Sequence, residues 1–356
     1  MNIFFNISHP AHVHFFRNTI ANLKKRNHNI IVGARKKDIT LQLLDQYGID
    51  YILLTKKGSG ALSLLLELMT QQLKLAHIIQ KYKIDLMVQL CGIFNAPIGK
   101  LMNIPTIALS DTEIAKIDNS ISFPLSTHVF LTSCFDHSIG GSWKKQVHYP
   151  GYHELAYLSP KYFKPEKEIE KIEKRFLVRF VSWEAAHDIG EEGLTLEQKL
   201  ILIKILKKYG KVYISSESPL PDSLKQYAFS LPFSEVHQFM ANCDLVLGES
   251  ATMASEAACL GVPAIYISNT ERGYTTEQDK KYGIIKYFKV HQWEEILKSA
   301  ELWASSDLRE EWKEKRAAML RDKIEVTDWL TDFINHYPQD IKTSYSFEKY
   351  VIKRFT

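Results

Sequence analysis

The chain has 356 residues, of which 45% are hydrophobic and 24% charged, with a net charge of +4. This length suits about two domains with sizeable cores, and so small a charge, scattered without interleaved aromatics, excludes a nucleic-acid partner. Four cysteines (Cys91, Cys134, Cys243, Cys259) form no CxxC pair, which implies buried thiols in a reducing compartment and no zinc site.

In chain order, "MNIFFNIS" enters a strand at once, without the basic leader and cleavage site of a signal peptide, so a cytoplasmic location is expected. A helix through "HVHFFRNTIANLKKRNH" and a strand "NIIVGAR" follow, then a helix "ITLQLLDQYG" and a strand "DYILLT". The apolar stretch at 61–79 is interrupted by Glu67, Gln71, Gln72 and Lys74, and reads as a helix that cannot span a bilayer. The strand "IDLMVQL", a helix near "APIGKLMN", and the strands "PTIALS" and "HVFLTS" complete a first series.

After "YHELAYLSPKYFKPEKEIEKIEK", rich in Pro, Lys and Glu, a second series begins. It runs through the strand "RFLVRFVSW", the amphipathic helix "LTLEQKLILIKILKKYG" and the strand "KVYISSES". Strands alternating with helices predict an α/β chain of doubly wound parallel sheets. The expected division is a Rossmann-like domain over 1–155, a linker over 156–175, a second Rossmann-like domain over 176–335, and a tail over 336–356. The two domains are expected to face one another across a cleft, with the tail packing back on the first.

The segment "CDLVLGESATMASEAACLGVPAIYIS" at 243–268 reads as strand, tight turn, helix and strand, with Gly261 as the helix stop. A right-handed crossover then presents the helix N-terminus at the carboxyl edge of the sheet, where ligands bind in open α/β folds. Such an end offers unpaired amides to phosphate. Ser250, Ala251 and Thr252 are small enough for a diphosphate to approach, and Glu256, one turn beyond Thr252, suits two ribose hydroxyls. The bland alternative is that Ser250 only caps the helix and Glu256 is solvated.

The stretch "SATMASEAACLGVPAIYI" resembles the donor-binding segment of the peptidoglycan N-acetylglucosaminyltransferase and related GT-B enzymes. That resemblance implies that Ser250, Ala251 and Thr252 hold a nucleotide diphosphate and Glu256 its ribose. The amino-terminal "SHPAHVHFFRNTIANLKKRNHNIIVGARKKDITLQLLDQYGID", with "YPGYHELAYL" and "SWEAAHDIG", resembles an uncharacterised GT-B-like family of bacteria and archaea. The likeness runs to about Phe288. It implies a GT-B glycosyltransferase that moves a sugar from a nucleotide-diphosphate donor, a UDP-sugar, to a cell-envelope or surface-polysaccharide acceptor. Inverting displacement without a metal or cofactor is expected, on a glycan or lipid-linked acceptor. Two alternatives stay open: a non-hydrolysing UDP-sugar 2-epimerase, and a non-catalytic nucleotide-sugar-binding partner. Thr270, Glu271 and Arg272 resemble the Thr-Glu-Arg of those epimerases, although Gly273 and Tyr274 replace their Pro-Glu.

His9, His12 and His14 crowd the first strand-to-helix turn. His12 is the candidate base, since imidazole suits proton removal from a hydroxyl near neutral pH, and His9 and His14 are candidate acceptor contacts. Their spacing points His12 and His14 to different helix faces, against a shared metal; capping or packing is the structural alternative. Asp111 and Glu113, after the strand "PTIALS", are placed to assist the base. Ser182 and His187 fall in a loop beside the donor turn, and Gln278 resembles the glutamine with which related transferases read sugar hydroxyls. In the tail, Phe347, Tyr350, Val351 and Phe355 beside Lys349, Lys353 and Arg354 would make a helix suited to peripheral membrane contact. The Leu-rich helix at 62–75 would add to it. The alternative is that both elements pack internally.

Overall fold

The computed structural model describes residues 1–56, 58, 61–136, 146–166, 173–181, 193–338 and 346–352. The chain divides into two compact units, Met1–Tyr157 with Ile324–Val351, and Leu158–Lys323 with Ile352–Thr356.

The first unit carries strands β1 (Asn2–Ile7), β2 (Asn29–Lys36), β3 (Ile52–Lys56), β4 (Leu86–Leu90), β5 (Thr106–Ser110), β6 (His128–Thr132) and β7 (Gln146–Tyr149). They form one parallel sheet in the order β3-β2-β1-β4-β5-β6-β7. The connecting helices are α1 (Pro10–Lys25), α2 (Thr40–Gln46), α3 (Ala61–Tyr82), α4 (Asn95–Met102) and α5 (Lys116–Leu125), followed by the short α6 (Leu155–Leu158). β1, β4 and β5 are apolar almost throughout because both faces of a parallel sheet are covered. Phe4, Ile31, Leu54 and Met87 pack under Leu75, Ile78 and Ile79 of α3 and Ile98 of α4.

The second unit has β8 (Lys174–Phe180), β9 (Gly210–Ser216), β10 (Leu245–Gly248), β11 (Ala264–Ile267) and β12 (Ile285–Phe288) in the parallel order β12-β11-β10-β8-β9. Its helices are α7 (Leu196–Leu206), α8 (Val236–Ala241), α9 (Ala251–Leu260), α10 (Gly273–Lys280), α11 (Trp293–Ser305) and α12 (Arg309–Arg321). Thr195 and Gln198 close a capping box at the start of α7, with hydrogen bonds of 3.2 and 2.9 Å.

A last helix, α13 (Val326–Asn335), was expected to close the second domain, yet it belongs to the first unit. Its stripe of Val326, Trp329, Leu330, Phe333 and Ile334 is buried. Trp329 stacks on Tyr149 at 4.7 Å and meets Phe130 at 5.0 Å. Of the two readings of the tail, its described residues follow internal packing and not the amphipathic helix: they form a 3-10 turn at Glu348–Tyr350 and an antiparallel bridge between Ile324 and Val351. Tyr350 is buried, with its hydroxyl donating to Asp332, and Phe347 leans on Trp329. Lys353, Arg354 and Phe355 lie outside the described residues. No helix among the described residues is long and apolar enough to cross a membrane.

Candidate active site

The carboxyl ends of β1, β5 and β7 share one sheet edge, and each delivers a titratable side chain there. β1 leads through Ser8 to His9, whose extended backbone and side chain cap α1: Nδ1 accepts from the Ala11 amide at 3.2 Å. Pro10 at the first helical position has no amide to satisfy. His12 follows in the first turn, 8% exposed, with Nδ1 3.4 Å from both the amide and the hydroxyl of Ser8. Burial, then the charges of Lys37 and His153, push its pKa down to about 3 against a carbonyl contact from Asn6 and the Asp111 charge. His12 is therefore neutral at physiological pH. His14 is directed elsewhere, against the rings of Tyr157 at 5.3 Å and Tyr47 at 5.9 Å. The three histidines do not form one cluster.

Asp111 leaves β5 and pairs with His153, not with His12 as expected. His153 Nδ1 donates to Asp111 Oδ2 at 2.9 Å, and the Thr112 hydroxyl donates to Oδ1 at 2.8 Å. Burial would raise the Asp111 pKa, but the charge and hydrogen bond of His153, with the Thr112 bond, hold it below the usual carboxylate range. His153 follows β7 through "YPGY", where Gly151 is needed because a Cβ would come within 2.6 Å of Val326. The imidazole packs on Phe15 at 4.8 Å. In the neutral ring, donation from Nδ1 leaves the lone pair on Nε2, which is buried without a partner among the described residues. Glu113 is buried and its Oε1 accepts the Asp136 amide at 3.4 Å. Nearby on α5, burial raises Asp118 to about 7 despite bonds from Ser122 and the Ile93 backbone.

In the second unit, β10 ends at Gly248 with φ +149°, where a Cβ would stand 2.1 Å from the Arg179 carbonyl oxygen. This turn sets Glu249 and Ser250. The fully buried Glu249 carboxylate accepts the amides of Val181 (3.0 Å) and Leu194 (2.6 Å), with Lys199 Nζ 3.9 Å away. Ser250 caps α9 by accepting from the Met253 amide at 3.3 Å, and its carbonyl takes the Ala254 amide. Of the first-turn donors, the amides of Ala251 and Thr252 have no partner among the described residues. Both residues and Met253 are half-buried, while Ala254 to Leu260 are buried.

Glu256 is 6% exposed and bonds His237 Nε2 of α8 at 2.8 Å, so it is not the solvated carboxylate of the bland alternative. Gln278, expected to read a sugar, is fully buried, and its amide nitrogen donates to Ser255 at 2.8 Å. It joins α10 to α9. Ser182 and His187 lie outside the described residues. Arg272 is buried at the start of α10, with Nη1 donating to Thr270 at 2.8 Å.

Sequence reasoning missed His153, His237 and Glu249. "YPGYHELAYL" marked His153 as part of a motif, but nothing local showed that its partner was Asp111. Glu249 stood in the quoted "GES" turn, where its neighbour Ser250 drew the attention.

Structures with the same architecture include the S. aureus MnaA–UDP co-structure, with TM-score 0.69 and 13% identity over 94% of this chain and 96% of that one. The UDP-GlcNAc 2-epimerase from Neisseria meningitidis bound to UDP-GlcNAc gives 0.59 and 12%, over 86% and 95%. SsfS6, a Streptomyces glycosyltransferase, gives 0.57 and 12%, over 94% and 99%. At these identities the likeness is one of fold, two parallel-sheet α/β units of the GT-B class. No curated protein matches the sequence. The model of a protein family of unknown function, DUF354, matches residues 1–283, and the chain belongs to that family.

Proposed function

We propose that this protein is a nucleotide-sugar-dependent glycosyltransferase whose second unit holds a UDP-sugar and whose first unit activates an acceptor hydroxyl. The observation that carries the donor half is the open first turn of α9 at a sheet's carboxyl edge, with the His237-bound carboxylate of Glu256 on the same helix. The Ala251 and Thr252 amides and the helix dipole stabilise the diphosphate, both in the bound donor and as it leaves. Glu256 accepts from the ribose hydroxyls. The UDP and UDP-GlcNAc bound in structures of like fold support this choice of donor.

For the acceptor half, the base is the His153–Asp111 pair. Asp111 keeps His153 in the tautomer with a free Nε2 lone pair and stabilises the imidazolium that forms. The acceptor oxygen bonds to the anomeric carbon as the bond from that carbon to the diphosphate oxygen breaks. The hydroxyl proton passes to Nε2, and the nucleoside diphosphate departs with the bonding electrons. The acceptor class is a glycan or a lipid-linked sugar of the cell envelope.

Calorimetric titration of UDP should show binding to the wild type and a loss of about 1.5–3 kcal/mol in Glu256→Ala, the worth of charged hydrogen bonds. His153→Gln should keep UDP affinity and lose about 10²–10⁴-fold in turnover. A wild-type chain that binds neither UDP nor a UDP-sugar overturns the proposal. The buried Arg272–Thr270 contact favours one second reading, a UDP-sugar 2-epimerase, since those residues stand in the Thr-Glu-Arg segment. Incubation with UDP-GlcNAc alone separates the two, because only an epimerase turns it over without an acceptor.

A further inference from the structure

Six large apolar side chains among the described residues are more than half exposed, and five of them stand on three consecutive helices of the first unit. They are Leu66 (57%), Met69 (58%) and Leu73 (74%) on α3, Leu101 (77%) on α4 and Ile117 (75%) on α5; the sixth is Leu302. Right-handed crossovers from β3 to β4, β4 to β5 and β5 to β6 set these helices on one side of the sheet. α4 packs against both of its neighbours, and Gln72 of α3 donates to the Phe94 carbonyl at the start of α4. Leu66, Met69 and Leu73 follow a helical stripe that faces away from the buried Leu75, Ile78 and Ile79.

The exposed charges on these helices have one sign. Lys74, Lys81, Lys100 and Lys116 are all exposed, three of them next in sequence to Leu73, Leu101 and Ile117. Lys74 also bonds the Leu54 carbonyl at 2.5 Å. The three helices contain only two acids, Glu67 and Asp118. Glu67 is turned inward and gripped by Arg35 at 2.5 and 2.7 Å, with Thr55 donating to it. Asp118 is largely buried, and that burial raises its pKa to about 7.

We infer that the outer face of α3, α4 and α5 docks on an anionic lipid bilayer, with its aliphatic side chains entering the interface and its lysines meeting the headgroups. Apolar area and basic charge act together at such surfaces, and an exposed apolar patch of this kind marks an interaction site. A second copy of the same face would oppose lysine to lysine, which disfavours self-association there. This surface does not depend on the transferase reading.

Vesicle sedimentation of the full chain tests it. The wild type should co-sediment with vesicles of phosphatidylcholine containing phosphatidylglycerol, less in high salt, and not with pure phosphatidylcholine. The triple variant Leu73→Ser, Leu101→Ser, Ile117→Ser and the pair Lys100→Glu, Lys116→Glu should each lose about tenfold or more in partitioning. These positions are exposed, so an unchanged melting transition confirms that each variant is folded. Absence of wild-type binding to anionic vesicles, or equal binding by the folded variants, overturns the inference. So does a wild-type dimer that the triple variant dissociates without any effect of lipid.

Discussion

Burial sets the chemistry of His12. Its folded pKa of about 3 makes it too weak a base to hold a proton near neutrality. Between the unfolded pKa of about 6.5 and the folded value, the unfolded chain binds a proton that the folded chain refuses. The contribution of His12 is therefore intact above pH ~6.5 and is lost progressively as pH falls toward 3, at about 1.4 kcal/mol per pH unit. Lys37 and His153 face the ring and add to the effect, and Asp111 opposes it. Wild type should lose roughly 2–3 kcal/mol more than His12→Gln between pH 6.5 and 4.5 in chemical denaturation. Identical acid limbs would show that His12 takes up its proton in the folded state. The sequence selected His12 and Asp111 by chemistry and position, and both reach the expected sheet edge. Their partners are set by tertiary packing, which no local pattern encodes.

At the scale of elements, the crossover through α9 was readable because each of its signals is local. Gly261, the α9 stop, has φ +77°, and Ser250 is the cap expected of a hydroxyl before an Ala-rich run. The role of Gly248 was not readable, since the Arg179 carbonyl that excludes a side chain there belongs to β8. Gly248→Ala should cost more than about 1–3 kcal/mol, because a steric clash adds to the backbone strain. It should also weaken UDP binding by displacing the Ser250 turn. Gly48→Ala is the control: its φ is +61°, but nothing lies within 4 Å of the added carbon. Thermal melts that shift equally for the two variants would remove the close approach as the cause. Elements such as β7, α5 and α10 were missed for the opposite reason. They are short or polar, and tertiary contacts rather than propensity hold them.

For the whole molecule, alternating strands and helices disclosed two doubly wound units, but the return of the chain to the first was expected only of the tail at 336–356 and not of α13. The amphipathic pattern of α13 states that one face is buried without naming what buries it. Its partners, Tyr149, Phe130 and α1, precede it by most of the chain. The Arg26–Asp332 ion pair at 2.6 Å also joins α13 to α1, but it is partly exposed and adds little. Trp329 is the largest of the buried side chains that attach α13, lying between Tyr149, Phe130 and Phe347. Trp329→Ala should cost about 3–5 kcal/mol, the range for removing a large buried aromatic. Two units allow two unfolding transitions, so one free energy does not describe the chain. Denaturation followed by hydrogen exchange resolves them, with amides of β1, β4 and β5 reporting the first unit and those of β8 and β10 the second. The substitution should lower protection in the first set and leave the second unchanged. An equal loss in both sets, or a loss confined to β8 and β10, would mean that α13 does not belong to the first unit's core.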